Sequence, residues 1–182
     1  MRVIAGEHKG RQLKPVPNRL TRPTTDKVKE ALFHVIGPFF EGGQALDLFA
    51  GSGGLGIEGL SRGMERCVFV DKQPKAIQTI YANLKELKLE ERAEVFRTDA
   101  FRALKAAGKR GLIFDYIFLD PPYKKVSYSS LMESILEHEL LADGGLIICE
   151  HDPDEQLPDQ VGTLTLKKQD VYGGSIGIGI YK

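Results

Sequence analysis

Asp120-Pro121-Pro122-Tyr123 follow directly on an apolar, strand-like run at residues 115–119. Two successive prolines fix their own φ angles and push the residue before each toward extended geometry. Neither proline has a backbone N–H, so the carbonyls of Asp120 and Pro121 are held in a rigid turn with few local donors competing for them. A carboxylate and a flat aromatic ring flank that turn. Together they form an acceptor-only pocket with a stacking face, suited to a planar nitrogen heterocycle that carries an exocyclic amine. Taken alone, the same four residues would be a proline-rich turn with an exposed tyrosine. The residues upstream decide between the two.

Gly51-Ser52-Gly53-Gly54-Leu55-Gly56 satisfies the G-x-G-x-x-G spacing after a strand-like run, and Asp71 lies 20 residues beyond Gly51 at the end of the next run. Glycines let a backbone approach a nucleotide closely, and an acid at that distance accepts from ribose hydroxyls. A dinucleotide redox cofactor is the obvious occupant. Two features oppose it. Asp47 sits within Leu46-Asp47-Leu48-Phe49-Ala50-Gly51, where it would repel a pyrophosphate but meet a cationic amino-acid group. A further acid, Asp99, ends the third strand-like run, where it is placed to accept from an adenine amine. Singly, each of these would be an ordinary strand-end acid. With Asp120 they make four at consecutive strand ends, where ligands of such sheets bind. A cleft lined by carboxylates suits a sulfonium-bearing nucleoside, S-adenosylmethionine.

The elements that must position these residues alternate. Strands are expected at residues 45–49, 67–70, 93–97, 115–119 and 146–149, with helices at 55–61, 75–87, 100–107 and 127–139. The strand runs are nearly continuous in apolar residues, as in a parallel sheet covered on both faces. Residues 163–171 and 175–181 alternate about Tyr172-Gly173-Gly174 and read as an antiparallel hairpin. Near the N-terminus, residues 2–5 and 11–14 read as short strands joined by a turn at 7–10, followed by a loop at 15–23. Thr24 or Thr25 then caps a helix with apolar residues at Val28, Ala31, Leu32, Val35 and Ile36, which ends at Gly37-Pro38.

The 182 residues suit one core, long enough to bury roughly 70% of its unfolded surface. No apolar run approaches the ~20 residues of a membrane span, and residues 1–10 show no signal-peptide core, so a cytoplasmic protein is expected. Cys67 and Cys149 lie in apolar runs with no metal-ligand spacing and read as buried free thiols. His8, His34, His138 and His151 are scattered, and no metal is expected. Net charge is zero but uneven. Residues 1–30 hold eight bases against three acids, and the remainder holds 17 bases against 22 acids. A basic arm with few apolar residues to bury, on a mildly acidic body, suggests phosphate contacts that position a nucleic acid.

Residues 47–56 together with Asp120–Tyr123 resemble the class I amino-methyltransferases, whose Asp/Asn-Pro-Pro-aromatic motif acts on exocyclic amines. Val3-Ile4-Ala5-Gly6, Gly10-Arg11, Leu13, Arg22-Pro23-Thr24 and residues 27–33 (Lys-Val-Lys-Glu-Ala-Leu-Phe) narrow the resemblance to the RsmD family, guanine-N(2) methyltransferases of small-subunit (16S) ribosomal RNA. It covers essentially the whole chain. Lys27 and Lys29 stand where the family often has arginine, which weakens any case for bidentate phosphate contacts there.

The resemblance implies an α/β fold: a Rossmann-like, seven-stranded, mostly parallel sheet with a C-terminal antiparallel hairpin and an N-terminal β-hairpin and helix. It divides the chain into an RNA-positioning extension at 1–40, packed on a methyltransferase domain at 41–182. The implied cofactor is S-adenosylmethionine, with Asp47, Phe49, Gly51, Ser52, Gly53, Gly56, Asp71, Lys72, Asp99, Ala100 and Asp120 as its candidate contacts. Asp120, Pro121, Pro122 and Tyr123 are the candidate catalytic residues, and Lys9, Arg11, Lys14, Arg22, Thr24 and Lys27 the candidate RNA contacts. The expected partner is 16S rRNA or an assembly intermediate of the small subunit, met by a monomer with no membrane. An N6-adenine methyltransferase shares the proline motif but usually carries a sizeable target-recognition domain. An NAD(P)-dependent oxidoreductase leaves that motif unexplained, and a noncatalytic RNA-binding factor leaves the pocket idle.

Overall fold

The computed structural model describes residues 1–17, 24–122 and 125–182. Helix α1 (Asp26–Ile36) precedes five β-α repeats: β1 (Gln44–Asp47), α2 (Gly54–Ser61), β2 (Arg66–Asp71), α3 (Pro74–Glu86), β3 (Ala93–Arg97), α4 (Ala100–Lys109), β4 (Phe114–Leu119), α5 (Tyr128–Glu137) and β5 (Leu141–His151). Strands β6 (Gln160–Val161), β7 (Leu164–Tyr172) and β8 (Ile176–Tyr181) follow. The spatial order is β3-β2-β1-β4-β5-β8-β7-β6, parallel through β5 and antiparallel beyond. The order reverses at β1, which pairs with β2 on one side and β4 on the other, and this opens a crevice at the carboxyl ends of the two.

Strand residues alternate between two apolar layers. Ala45, Phe69, Phe118 and Ile148 pack with α1, α2 and α3, while Leu46, Val70, Leu119 and Cys149 pack with α4 and α5. The unbroken apolar runs reflect this double burial. The sheet has eight strands rather than the expected seven. The extra strand, β6, is two residues long, too short to show a period. β5 also begins earlier than residue 146, at Leu141, because Gly144 and Gly145 lie within the strand beside a register shift between Phe114 and Tyr116.

The N-terminal hairpin forms around a single bridge, Arg2 to Gln12, with the Val3 N–H donating to the Arg11 carbonyl at 2.9 Å and the Gly10 N–H to the Val3 carbonyl at 2.8 Å. The arm is more deeply embedded than its composition implies. Val3 and Leu13 are fully buried in the α1–α2 layer, so the expectation of few buried apolar residues is corrected. Thr25 caps α1, its hydroxyl accepting from the Val28 N–H at 3.2 Å. At Gly6 (φ +89) any side chain would collide with the backbone of Ser61.

What docks the arm is Glu58, wholly buried in the middle of α2. Its carboxylate accepts from the Ile4 N–H at 2.9 Å and the Ala5 N–H at 3.1 Å. It also pairs with Arg62 at 2.6 Å and with Lys29 of α1 at 3.3 Å. Lys29 Nζ in turn donates to the Arg2 carbonyl at 2.5 Å, and Arg62 Nη1 to the Pro38 carbonyl at 3.1 Å. Burial pushes the Lys29 ammonium below the usual lysine range, and the Glu58 charge opposes that shift. Lys29 therefore cannot count among the arm's RNA-facing bases. Replacing Glu58 by Ala strands two buried cations and two amides. It is expected to cost about 3–5 kcal/mol of stability, read as a drop in the urea midpoint at pH 7.

Candidate active site

Between β1 and α2 the chain turns through Gly51 (φ 58) and Gly53 (φ 87), both in the left-handed region that favours glycine. Gly53 occupies the N-cap of α2 and has no side chain to satisfy the helix's first amides. Asp47, at the end of β1, takes over that role: its Oδ2 accepts from the Gly56 N–H at 3.1 Å, where the positive end of the helix favours a carboxylate. At Gly56 a Cβ would run into the Phe69 ring, so glycine there lets α2 sit close on β2. Asp71, at the end of β2, accepts from the Gly51 N–H at 2.8 Å and the Gln73 N–H at 2.9 Å. It thus shapes the glycine loop and the entry to α3 together.

The crevice above these strand ends is a cleft of about 580 Å³, a size usual for a nucleoside-sized ligand. Asp47, Phe49, Gly51, Ser52 and Gly54 form one wall, and Asp120, Pro121 and Pro122 face them at the end of β4. The structure therefore brings the glycine loop and the proline turn to one cavity. Met1, Pro15, Val16 and Thr24 of the N-terminal segment close another side, so the arm is part of the cleft.

Other candidate residues fall elsewhere. Asp71 lies under the loop, off the cleft wall, with Gly53 and Gly56 behind it. Asp99 caps α4, accepting from the Arg102 N–H at 3.0 Å, and Ala100 is the first residue of that helix. Lys72 is exposed beside Asp71. Lys9, Arg11, Lys14 and Lys27 are exposed, as RNA contacts must be. Thr24 instead turns inward, its hydroxyl donating to Glu150 Oε2 at 2.6 Å. Tyr123 and Arg22 lie outside the described residues.

Four contributors escape a motif-based reading. Glu150 and His151, at the end of β5, line the cleft and are 8% and 5% exposed. Glu150 could have been found by the rule that flagged the other acids, since it too ends a core strand. His151 Nδ1 donates to the Asp152 carbonyl at 2.8 Å, which leaves its lone pair on Nε2 in the neutral ring. Tyr128 donates its hydroxyl to the Glu150 carbonyl at 2.5 Å, and burial raises its phenol far above the usual range. Asn83 of α3 is 2% exposed and joins the arm to the glycine loop. It accepts from the Lys14 N–H at 2.8 Å and donates to the carbonyls of Lys14 at 3.1 Å and Ser52 at 2.9 Å. An asparagine in a helical run carries no sequence signal for such a bridge. Burial raises the Cys67 and Cys149 thiols, so both remain protonated and unreactive.

Residues 1–181 match the family model described as "Conserved hypothetical protein 95". "Putative rRNA methyltransferase YlbH" of Bacillus subtilis (strain 168) is 56% identical over 182 residues, covering 100% of this chain and 98% of that protein. "Ribosomal RNA small subunit methyltransferase D" of Escherichia coli (strain K12) is 33% identical, over 95% of this chain and 85% of its own. The structure named "Putative methyltransferase yhhF from Escherichia coli" superposes with a TM-score of 0.86 at 33% identity, covering 100% of this chain and 96% of that one. An RNA methyltransferase from Salinibacter ruber, in complex with S-adenosyl-L-homocysteine, shares the fold at a TM-score of 0.66 and 17% identity, over 87% and 92% of the two chains. The sheet with its reversal at β1, the glycine loop facing a proline turn and full-length similarity agree, and the chain belongs to the RsmD family of class I methyltransferases.

Proposed function

We propose that this protein transfers a methyl group from S-adenosylmethionine to the exocyclic N2 amine of a guanine in 16S ribosomal RNA, presented by the small subunit or an assembly intermediate. The observation that carries this reading is a single cleft with the Asp120-Pro121 acceptor turn on one wall and Asp47 with the glycine loop on the other. The residues present fit the cofactor. Gly51 and Gly54 allow close backbone approach, and Asp47 offers a buried carboxylate to a cationic group. When bound, S-adenosylmethionine supplies an electrophilic methyl group on a sulfonium.

The chain's task is to make a poor nucleophile attack. The guanine amine is planar because its lone pair is delocalised into the ring. Asp120 and the Pro121 carbonyl accept its two protons, favouring a tetrahedral nitrogen and aiming the lone pair into the cleft. As the N–C bond forms and the sulfonium C–S bond breaks, the amine becomes acidic, and one proton leaves through Asp120 to water. Tyr123 covers the flipped base. Asp71 orders the loop and accepts from the ribose. Lys9, Arg11 and Lys14 sit on the exposed side of the arm and position RNA by its phosphates. A ribosomal substrate implies a cytoplasmic protein. Among the described residues no helix is long and apolar enough to cross a membrane.

Mass spectrometry of ribosomal RNA from a strain lacking the gene is expected to show one unmodified guanine N2 in the small-subunit RNA. A lost adenine N6 mark would instead favour the adenine reading. Asp120→Ala should abolish transfer while leaving S-adenosylhomocysteine affinity within a few-fold by calorimetry; a parallel loss of affinity would make Asp120 a cofactor residue. Asp71→Ala should weaken S-adenosylhomocysteine binding by about 1.5–3 kcal/mol, because charged hydrogen bonds to the ribose and the loop are lost together. Reversing Lys9, Arg11 and Lys14 to Glu should leave the melting temperature nearly unchanged. RNA affinity should fall, and the slope of log K against log salt should flatten by roughly 0.7–0.9 for each phosphate that the arm no longer neutralises.

A further inference from the structure

We propose that Glu150 is the residue that selects guanine, by accepting the N1–H that neighbours the reactive N2 amine. This role rests on the guanine-N2 reading above. β4 and β5 run parallel, with Leu119 paired to Cys149, so Asp120 and Glu150 are the next residues along two adjacent strands. Their backbones lie about 4.8 Å apart at such a step. Phe118 and Ile148 belong to the α1–α2 layer and Leu119 and Cys149 to the opposite one, so strand alternation returns Asp120 and Glu150 to the same face. Both line the cleft.

Glu150 is held firmly in that position. Thr24 donates to its Oε2 at 2.6 Å, and Tyr128 grips its main-chain carbonyl at 2.5 Å. A second carboxylate beside Asp120 is electrostatically unfavourable unless donors meet both. Guanine offers that pair: N2–H and N1–H are adjacent on its Watson–Crick edge, the edge a flipped base presents to a pocket. Adenine offers its amine beside a bare N1 lone pair, which a carboxylate repels. Reading a hydrogen by a fixed acceptor discriminates more sharply than shape does, because the wrong base leaves a buried polar group unmatched. The rival role, an anchor for Thr24 alone, requires no selectivity between bases.

The test titrates guanosine and 2-aminopurine riboside into protein saturated with S-adenosylhomocysteine. The second nucleoside keeps the N2 amine but has a lone pair at N1. Wild-type protein should prefer guanosine on the order of tenfold or more. Glu150→Gln keeps an oxygen for Thr24 and offers an amide N–H to N1, so its preference should collapse or reverse with S-adenosylhomocysteine affinity unchanged. Thr24→Val, which frees the carboxylate's orientation, should reduce the preference partially and serves if the first variant does not fold. A wild-type protein without the preference, or variants that retain it, overturns the proposal. Methyl transfer to small subunits from the deletion strain separates the two readings. If wild-type protein leaves guanine N2 unmodified, the proposed function falls; if it methylates guanine N2 and the variants discriminate as before, only the role of Glu150 falls.

Discussion

A carboxylate buried in the middle of a helix is tolerable only when charge and hydrogen bonds surround it, and Glu58 imposes that condition on the whole N-terminal third. Two cations and two arm amides converge on its two oxygens. Because those partners come from the arm, from α1 and from α2 itself, none of the three can be placed without the others. The gain is less stability than uniqueness, since an ion cluster of this kind has one acceptable arrangement whereas an apolar contact has several. The arm's position over the cleft follows from it.

The strand ends follow a related rule. Asp47, Asp71 and Asp99 each satisfy amides at the start of the helix or loop that follows, so the acids serve the backbone before they serve a ligand. Helix N-termini favour negative charge, which offsets the repulsion among acids gathered at one edge. The loop is therefore shaped before any ligand arrives, the condition under which electrostatic groups act most strongly on a reacting molecule.

The arm joins the two functional halves. Asn83 links Lys14 to Ser52, so a segment that presents bases to solvent is hydrogen-bonded to the glycine loop. Met1 reaches the same loop, its Sδ lying 2.9 Å from where a Cβ would stand on Gly54. The segment that positions the substrate and the wall of the cleft are one piece of chain.

The sequence by itself determined the alternating elements, the parallel core, the C-terminal hairpin and the opposing glycine and proline turns. Each of these is written in local patterning: unbroken apolar runs, the glycine spacing, two prolines in succession. It also determined the uneven charge that sets Lys9, Arg11 and Lys14 apart from the acidic body. Only the tertiary structure decided that Lys29 is buried, that Thr24 faces inward and that Asp99 caps a helix off the cleft. The same holds for Glu150 and Asn83, whose partners lie 126 and 69 residues away. Composition and periodicity report what a residue does to its own segment; which polar group it meets across the fold depends on strand register and helix docking, and no local pattern carries that.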